Sequence, residues 1–220
     1  MTTAMTAPIS PTAPVQFSVD YPDRPLNRMT SALRLLAAVP ILAVLVAVSG
    51  SSVVWSRGSQ DAIVGAGGLL FLGPLLMIVF RGKYPRWWFD WNLELQRFTS
   101  RVVAYPALMD DRYPSTDEEQ AVHLDYAYPD AERDLKRWMP LVKWLLVLPH
   151  VVVLFFLWVA TGFVVVGAWF AILLTGRYPR RMFDFVEGVM RWDQRVIAYA
   201  VVLTTDQYPP FSLTAHPSEL

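Results

Sequence analysis

The sequence has no cysteine in its 220 residues, which excludes disulfides, thiolate metal sites and a cysteine nucleophile. Charge is also scarce. Asp, Glu, Lys and Arg make up 17% of the chain, against roughly 25% in an ordinary soluble domain. Neither sign is in excess, since 19 basic residues face 19 acidic ones. The basic residues form no patch or stripe of their own, so nucleic acid is excluded as an expected partner. The sequence contains no Gly-x-Ser-x-Gly elbow, no His-Glu-x-x-His pair and no Walker-type loop. Asp110 and Asp111 stand together without a second ligand cluster, and His123 and His216 are isolated. With no nucleophile, base or metal set to name, no enzymatic activity, cofactor or metal is expected.

What is abundant is apolar sequence, 54% of the chain, with a mean hydropathy of +0.33. Residues 1–16 are rich in Thr, Ala and Pro and uncharged, and read as a disordered tail rather than a signal peptide. Three apolar runs follow, at 32–48, 62–80 and 141–174. A membrane-spanning helix takes about 20 apolar residues, so the first two runs fit one span each. The third, as one helix, is about 51 Å long at 1.5 Å per residue, beyond a hydrocarbon core of about 30 Å. It divides into spans at about 141–159 and 162–175, with the turn at Ala160-Thr161-Gly162. Arg57 is the lone basic residue between the first two spans. Under the positive-inside rule the other basic segments are cytoplasmic, which gives a multi-pass cell-membrane protein with both termini inside.

The chain also repeats itself. Gly82-Lys83-Tyr84-Pro85-Arg86 and Phe89-Asp90 recur at an offset of 94 as Gly176-Arg177-Tyr178-Pro179-Arg180 and Phe183-Asp184. The same offset carries Arg97 to Arg191, Arg101 to Arg195 and Tyr105 to Tyr199, and after one residue of slippage Asp111-Arg112-Tyr113-Pro114 recurs as Asp206-Gln207-Tyr208-Pro209. Upstream, an offset of 109 carries Arg28 to Arg137, Arg34 to Lys143 and Pro40 to Pro149. Two membrane repeats result, 17–114 and 122–213, joined by an acidic linker at 115–121 and followed by a tail at 214–220. Each holds an even number of spans, so the repeats are parallel and related by an axis normal to the membrane.

The second repeat resembles the bacterial domain of unknown function 4389 family along nearly its whole length. The strings that carry the likeness are Leu148-Pro149-His150, Ala168-Trp169-Phe170-Ala171, Thr175-Gly176-Arg177-Tyr178-Pro179-Arg180, Phe183-Asp184-Phe185, Met190-Arg191-Trp192, Arg195-Val196-Ile197-Ala198-Tyr199 and Asp206-Gln207-Tyr208-Pro209-Pro210-Phe211. The first repeat looks like a diverged copy, with Ile41 where the second has His150 and Ser115 where it has the second Pro of Tyr-Pro-Pro-Phe. The resemblance implies a bacterial membrane protein and no particular activity.

The repeated Gly-(Lys/Arg)-Tyr-Pro-Arg string reads as a membrane exit. Gly82 and Gly176 can cap a helix, and Lys83 and Arg177 suit its C-terminal dipole. Tyr84 and Tyr178 suit the interface, and Pro85 and Pro179 suit the start of a new helix ahead of Arg86 and Arg180. The alternative reading is a lipid-phosphate or ligand site. The helices that follow, about 85–105 and 179–202, have apolar residues at helical spacing and suit a cytoplasmic interface. Asp90, Arg97 and Arg101 stand at i, i+7 and i+11, so both arginines lie within about 20° of the acid; Asp184, Arg191 and Arg195 repeat this. Such a stripe forms either a fold-internal contact or paired guanidinium forks for an anionic headgroup or carboxylate. Phe17–Tyr21 and Val122–Tyr126 alternate apolar and polar residues as short cytoplasmic strands do, with the segments 102–109 and 201–206 as pairing partners. His150 is the one ionisable residue deep in a span, and either bonds neighbouring backbone or handles a proton or ligand.

The expected architecture is thus an all-α integral membrane protein of four transmembrane helices in two tandem parallel repeats. Each repeat ends in an interfacial amphipathic helix, with short β-strands on the cytoplasmic side. The expected role is that of an accessory or scaffold protein whose partners are membrane lipids, a membrane-protein partner or further copies of itself. The alternative is a small oligomeric transporter or lipid-translocating channel.

Overall fold

The computed structural model describes residues 14–22, 26–49, 73–116, 118–131, 133 and 135–215. The expected disordered tail and the first part of the second apolar run, 62–72, lie outside or almost outside these residues, as do Arg57 and His216. Strand β1 (Val15–Val19) leads to helix α1 (Arg28–Ser49), which holds Pro40 in its interior. A π-helical turn, Met77–Arg81, precedes helix α2 (Arg86–Ala104). Strand β2 (Val122–Tyr126), helix α3 (Met139–Thr175), helix α4 (Arg180–Ile197) and a second π-helical turn, Ala198–Val202, complete the order.

The expected split of the third apolar run does not occur. α3 is a single 37-residue helix that passes through Ala160, Thr161 and Gly162 without a break. A lone glycine costs a helix only about 1 kcal/mol relative to alanine, and Leu, Val, Phe and Trp on both sides supply packing and propagation that outweigh it. The proline that could have ended the helix, Pro149, lies elsewhere and is accommodated inside it. The four-span count therefore fails at its last two members. Among the described residues α3 is one helix long and apolar enough to cross a membrane, and a second candidate is α1, bent by 51° between Arg28–Arg34 and Leu36–Leu45.

The strands also pair differently from expectation. β1 pairs with β2, antiparallel, with Phe17 opposite Leu124, and neither pairs with 102–109 or 201–206. Those two segments instead close helices. Leu108 and Leu203 adopt left-handed backbone (φ 66° and 62°), and Met109 and Thr204 bond back to the Ala104 and Ala198 carbonyls. The left-handed turn is uncomfortable for a branched chain, and burial of both leucine side chains offsets it.

Three layers follow from the packing. Val15, Phe17, Val19, Val122, Leu124 and Tyr126 face inward from the sheet, while Ser18, His123 and Asp125 face outward. Beneath the sheet lie α2 and α4: α2 packs on β2, and α4 on β1. The far side of α4 packs along α3, and α1 touches both α2 and α3. α4 runs antiparallel to α3, with Met182 beside Gly167 and Trp192 beside His150. α3 buries only a narrow stripe, Pro140, Lys143, Val147, His150, Leu154, Thr161, Ala168 and Ile172.

Candidate functional site

Gly82 and Gly176 end their helices in left-handed backbone, φ 60° and 75°, with their N–H groups on the Ile78 and Ile172 carbonyls. Pro85 and Pro179 then hold extended backbone from which α2 and α4 start. The tyrosines between are buried, not interfacial, and burial raises both phenol pKa values. Tyr84 donates to the Val202 carbonyl at 2.6 Å. Its own carbonyl accepts from Tyr128 at 2.6 Å, and the Tyr178 carbonyl accepts from Tyr21 at 2.5 Å. Over these outer tyrosines lie the guanidinium groups of Arg86, 5.0 Å from the Tyr128 ring, and Arg180, 4.5 Å from the Tyr21 ring. Tyr21 meets Phe183 edge-on at 5.1 Å, and Tyr128 meets Phe89 at the same distance. Lys83 and Arg177 are exposed.

The two acid–arginine stripes are not single clusters. Asp90 pairs with Arg86 at 4.0 Å and Asp184 with Arg180 at 2.9 Å, all on the surface. The arginines further along turn to backbone. Arg97 donates Nε–H to the Leu124 carbonyl at 2.8 Å, with Glu94 and Asp125 beside it. Arg191 donates Nε–H to the Phe17 carbonyl at 3.0 Å and also pairs with Glu187. Phe17 and Leu124 are the paired residues at the centre of the sheet, so the two arginines hold the two strands at one level, Arg97 from 27 residues away and Arg191 from 174. Arg101 holds the Ser115 carbonyl at 3.0 Å, and Arg195 holds those of Ser212 at 3.2 Å and Thr214 at 2.9 Å. The backbone atoms they satisfy lie at strand edges and in tight tails, where an unmet carbonyl costs about 1–3 kcal/mol.

Two further clusters escaped the sequence reading. Lys143 is wholly buried and pairs with Asp206 at 2.7 Å. It donates to the Thr205 carbonyl at 2.7 Å and lies 4.9 Å from the Tyr199 ring centre. Arg34 is equally buried and pairs with Asp111. It donates to the Asp110 carbonyl at 3.1 Å and lies 5.1 Å from the Tyr105 ring centre. Behind the rings, Tyr199 meets Tyr208 at 5.8 Å and Tyr105 meets Tyr113 at 5.6 Å, both edge-on. The signal was present in the sequence. The first and third apolar runs each begin with a cation, and each Asp-x-Tyr-Pro string carries an acid at a corresponding place.

His150 is fully buried. Trp192 donates its indole N–H to Nδ1 at 3.2 Å, so the ring proton sits on Nε2. Phe211 stacks on the ring at 4.0 Å, and Tyr208 lies 4.8 Å away. The hydroxyl of Tyr208 bonds the Leu146 carbonyl at 3.3 Å, close to the backbone that Pro149 disturbs. Asp193 was not singled out in sequence. Burial raises its carboxyl to about 6, opposed by a hydrogen bond from Trp158 in the middle of α3. Among the described residues no group of three or more His, Asp or Glu is placed to hold a metal. Asp110 and Asp111 are taken up by Arg112, Arg34 and the N–H groups of Asn27 and Ala121.

A long exposed apolar helix on a polar-faced helical body defines the class, a mostly helical protein with one helix fit for a membrane. Residues 137–212, which run from the start of α3 to the tail over His150, match the family model of the domain of unknown function DUF4389. No curated protein and no solved structure matches the chain.

Proposed function

We propose that this is a non-enzymatic membrane protein, an accessory or scaffold protein made by tandem duplication, whose two halves lock into one body. The observation that carries the reading is the reciprocity of the contacts. Arg97 holds Leu124 while Arg191 holds Phe17, and Tyr128 bonds Tyr84 while Tyr21 bonds Tyr178. The buried pairs Arg34–Asp111 and Lys143–Asp206 correspond in the same way. In this reading the duplicated arginines serve the scaffold, and what remains for a partner is the outer surface. The apolar face of α3 takes lipid, and the outward face of the sheet is open to a membrane-associated protein.

Native mass spectrometry of the protein gently extracted from its own membrane tests the proposal. A stoichiometric protein passenger, retained by Arg191→Ala/Arg195→Ala wherever that variant folds, supports it. A bare oligomer that conducts a solute in liposomes would transfer the assignment to a transporter.

A further inference from the structure

α3 presents a difficulty for any helix that stands upright in a bilayer. Its exposed apolar side chains run from Leu141 to Leu174, about 50 Å along the axis, against a hydrocarbon core of about 30 Å. The level of its midpoint is fixed by Trp158, which bonds Asp193 of α4. Two residues away, Arg191 holds the Phe17 carbonyl at the centre of the sheet. An upright α3 centred in the bilayer would therefore put an open two-stranded sheet at the midplane. Exposed Ser18, Asp20, His123 and Asp125 would go with it. Open sheet edges and exposed charged groups, even paired as Asp20 is with His123 and Asp125 with Arg97, do not persist in hydrocarbon.

The path of the first half adds a second constraint. The Leu26 N–H bonds the Gly176 carbonyl at 2.9 Å, and Arg28 bonds that of Leu174 at 3.2 Å. At the other end of α3, Gly82 lies against the Arg137 guanidinium. Residues 26 to 82 thus begin beside the C-terminus of α3 and finish beside its N-terminus. Exposed cations gather at both of these ends, Arg28, Arg177 and Arg181 at one and Arg81, Lys83, Lys136 and Arg137 at the other. The sheet face carries exposed Asp20, Glu94 and Asp125 instead.

From these placements we infer that α3 lies along the membrane plane, immersed in one leaflet, with the cations at both its ends on anionic headgroups and the sheet turned to water. The occupant of the apolar face is lipid rather than a second copy. A facing helix covers one stripe, whereas Val151, Val152, Val153, Phe155 and Phe156 are all exposed and spread over more than one face of α3, beyond what α4 and α1 cover. Lying flat also places both basic ends on one side of the membrane, which a single straight span cannot do. This inference rests on the membrane reading above and adds the orientation.

The absence of cysteine makes the test clean. Leu145, Val152, Val159 and Val166 are exposed and seven residues apart, on one face over about 32 Å. Each is changed singly to Cys, nitroxide-labelled, and reconstituted in phosphatidylglycerol–phosphatidylethanolamine vesicles. Ser18→Cys is prepared likewise. Collision with oxygen and with a water-soluble nickel chelate reads depth. The expected result is a level profile across the four helix sites, with label 18 open to nickel. A profile that peaks in the middle, with 145 and 166 near opposite surfaces, would overturn the flat orientation and leave membrane attachment standing. Labels reached by neither reagent would assign the face to another copy and overturn lipid as its occupant. Labels open to nickel at every site, on protein that does not float with vesicles, would overturn both readings. Oriented circular dichroism of the unaltered protein, which separates in-plane from upright helices, must agree.

Discussion

The pair Lys143–Asp206 offers the sharpest test of the packing. Asp206→Ala leaves an ammonium group with no exposure, held only by the Thr205 carbonyl at 2.7 Å and the face of Tyr199. Breaking a buried pair from one side costs about 3–5 kcal/mol. The retained carbonyl and ring, the latter a desolvated cation–π contact of about 2 kcal/mol, keep the expected loss near the lower figure, about 3 kcal/mol. Lys143→Met is expected to cost less, because the Asp206 carboxylate is partly exposed and keeps the Lys136 N–H at 2.7 Å. The double variant removes both charges and should lie within about 1–2 kcal/mol of wild type. Reversible unfolding in detergent, followed by circular dichroism, completes the cycle. A coupling energy of about 2–3 kcal/mol is expected, and the Arg34→Met/Asp111→Ala cycle should match it. A coupling below about 1 kcal/mol, as for surface pairs, would show that water reaches the site and refute the account of both clusters.

Three other outcomes are expected. Tyr21→Phe and Tyr128→Phe each delete one hydroxyl bond to a carbonyl, and each should cost about 1 kcal/mol by the same unfolding measurement. Gly188→Ala places a methyl 2.8 Å from the Leu213 carbonyl oxygen, which Arg191 also holds. It should cost about 1–3 kcal/mol and hasten proteolysis of the tail. Asp193, raised to about 6 from an ordinary 3.8, binds its proton more tightly folded than unfolded. Its contribution is complete below pH about 4 and lost as pH rises to about 6, up to about 3 kcal/mol. The difference between wild type and Asp193→Asn across that range should show this slope, and parallel stabilities would contradict it.

How much of this could be read beforehand depended on the range of the interaction. The helix starts at Pro85 and Pro179 and the glycine stops at Gly82 and Gly176 are local, and residue types alone indicate them. β2 was placed residue for residue and β1 within two residues, because alternation is local as well. Their mutual pairing was missed, since it joins residues 107 apart and no pattern in either strand names its partner. The length of α3 was misjudged because the run was divided to fit a core of about 30 Å, whereas Thr161 and Gly162 do not stop the helix. Nothing in an apolar run reports its tilt. Arg97, Arg101, Arg191 and Arg195 were recognised as a repeated set, but a guanidinium bonds a carbonyl as readily as a headgroup, and only the fold shows which carbonyls are near.

Under the proposed duplication, the paired strands bear on how such a body comes to exist. Neither half closes its own sheet: the strand of the first half finishes against the second, and each half's arginine caps the other's strand. A chain with a single such unit would have to borrow its neighbour's strand and assemble as a pair. Joining two units in one polypeptide replaces that encounter with a tether, whose effective concentration is on the order of millimolar for a short linker. Assembly then no longer depends on abundance. Once tethered, such halves would also be free to differ, as Ile41 and His150 do in that alignment of the two, because a change in one is no longer imposed on the other.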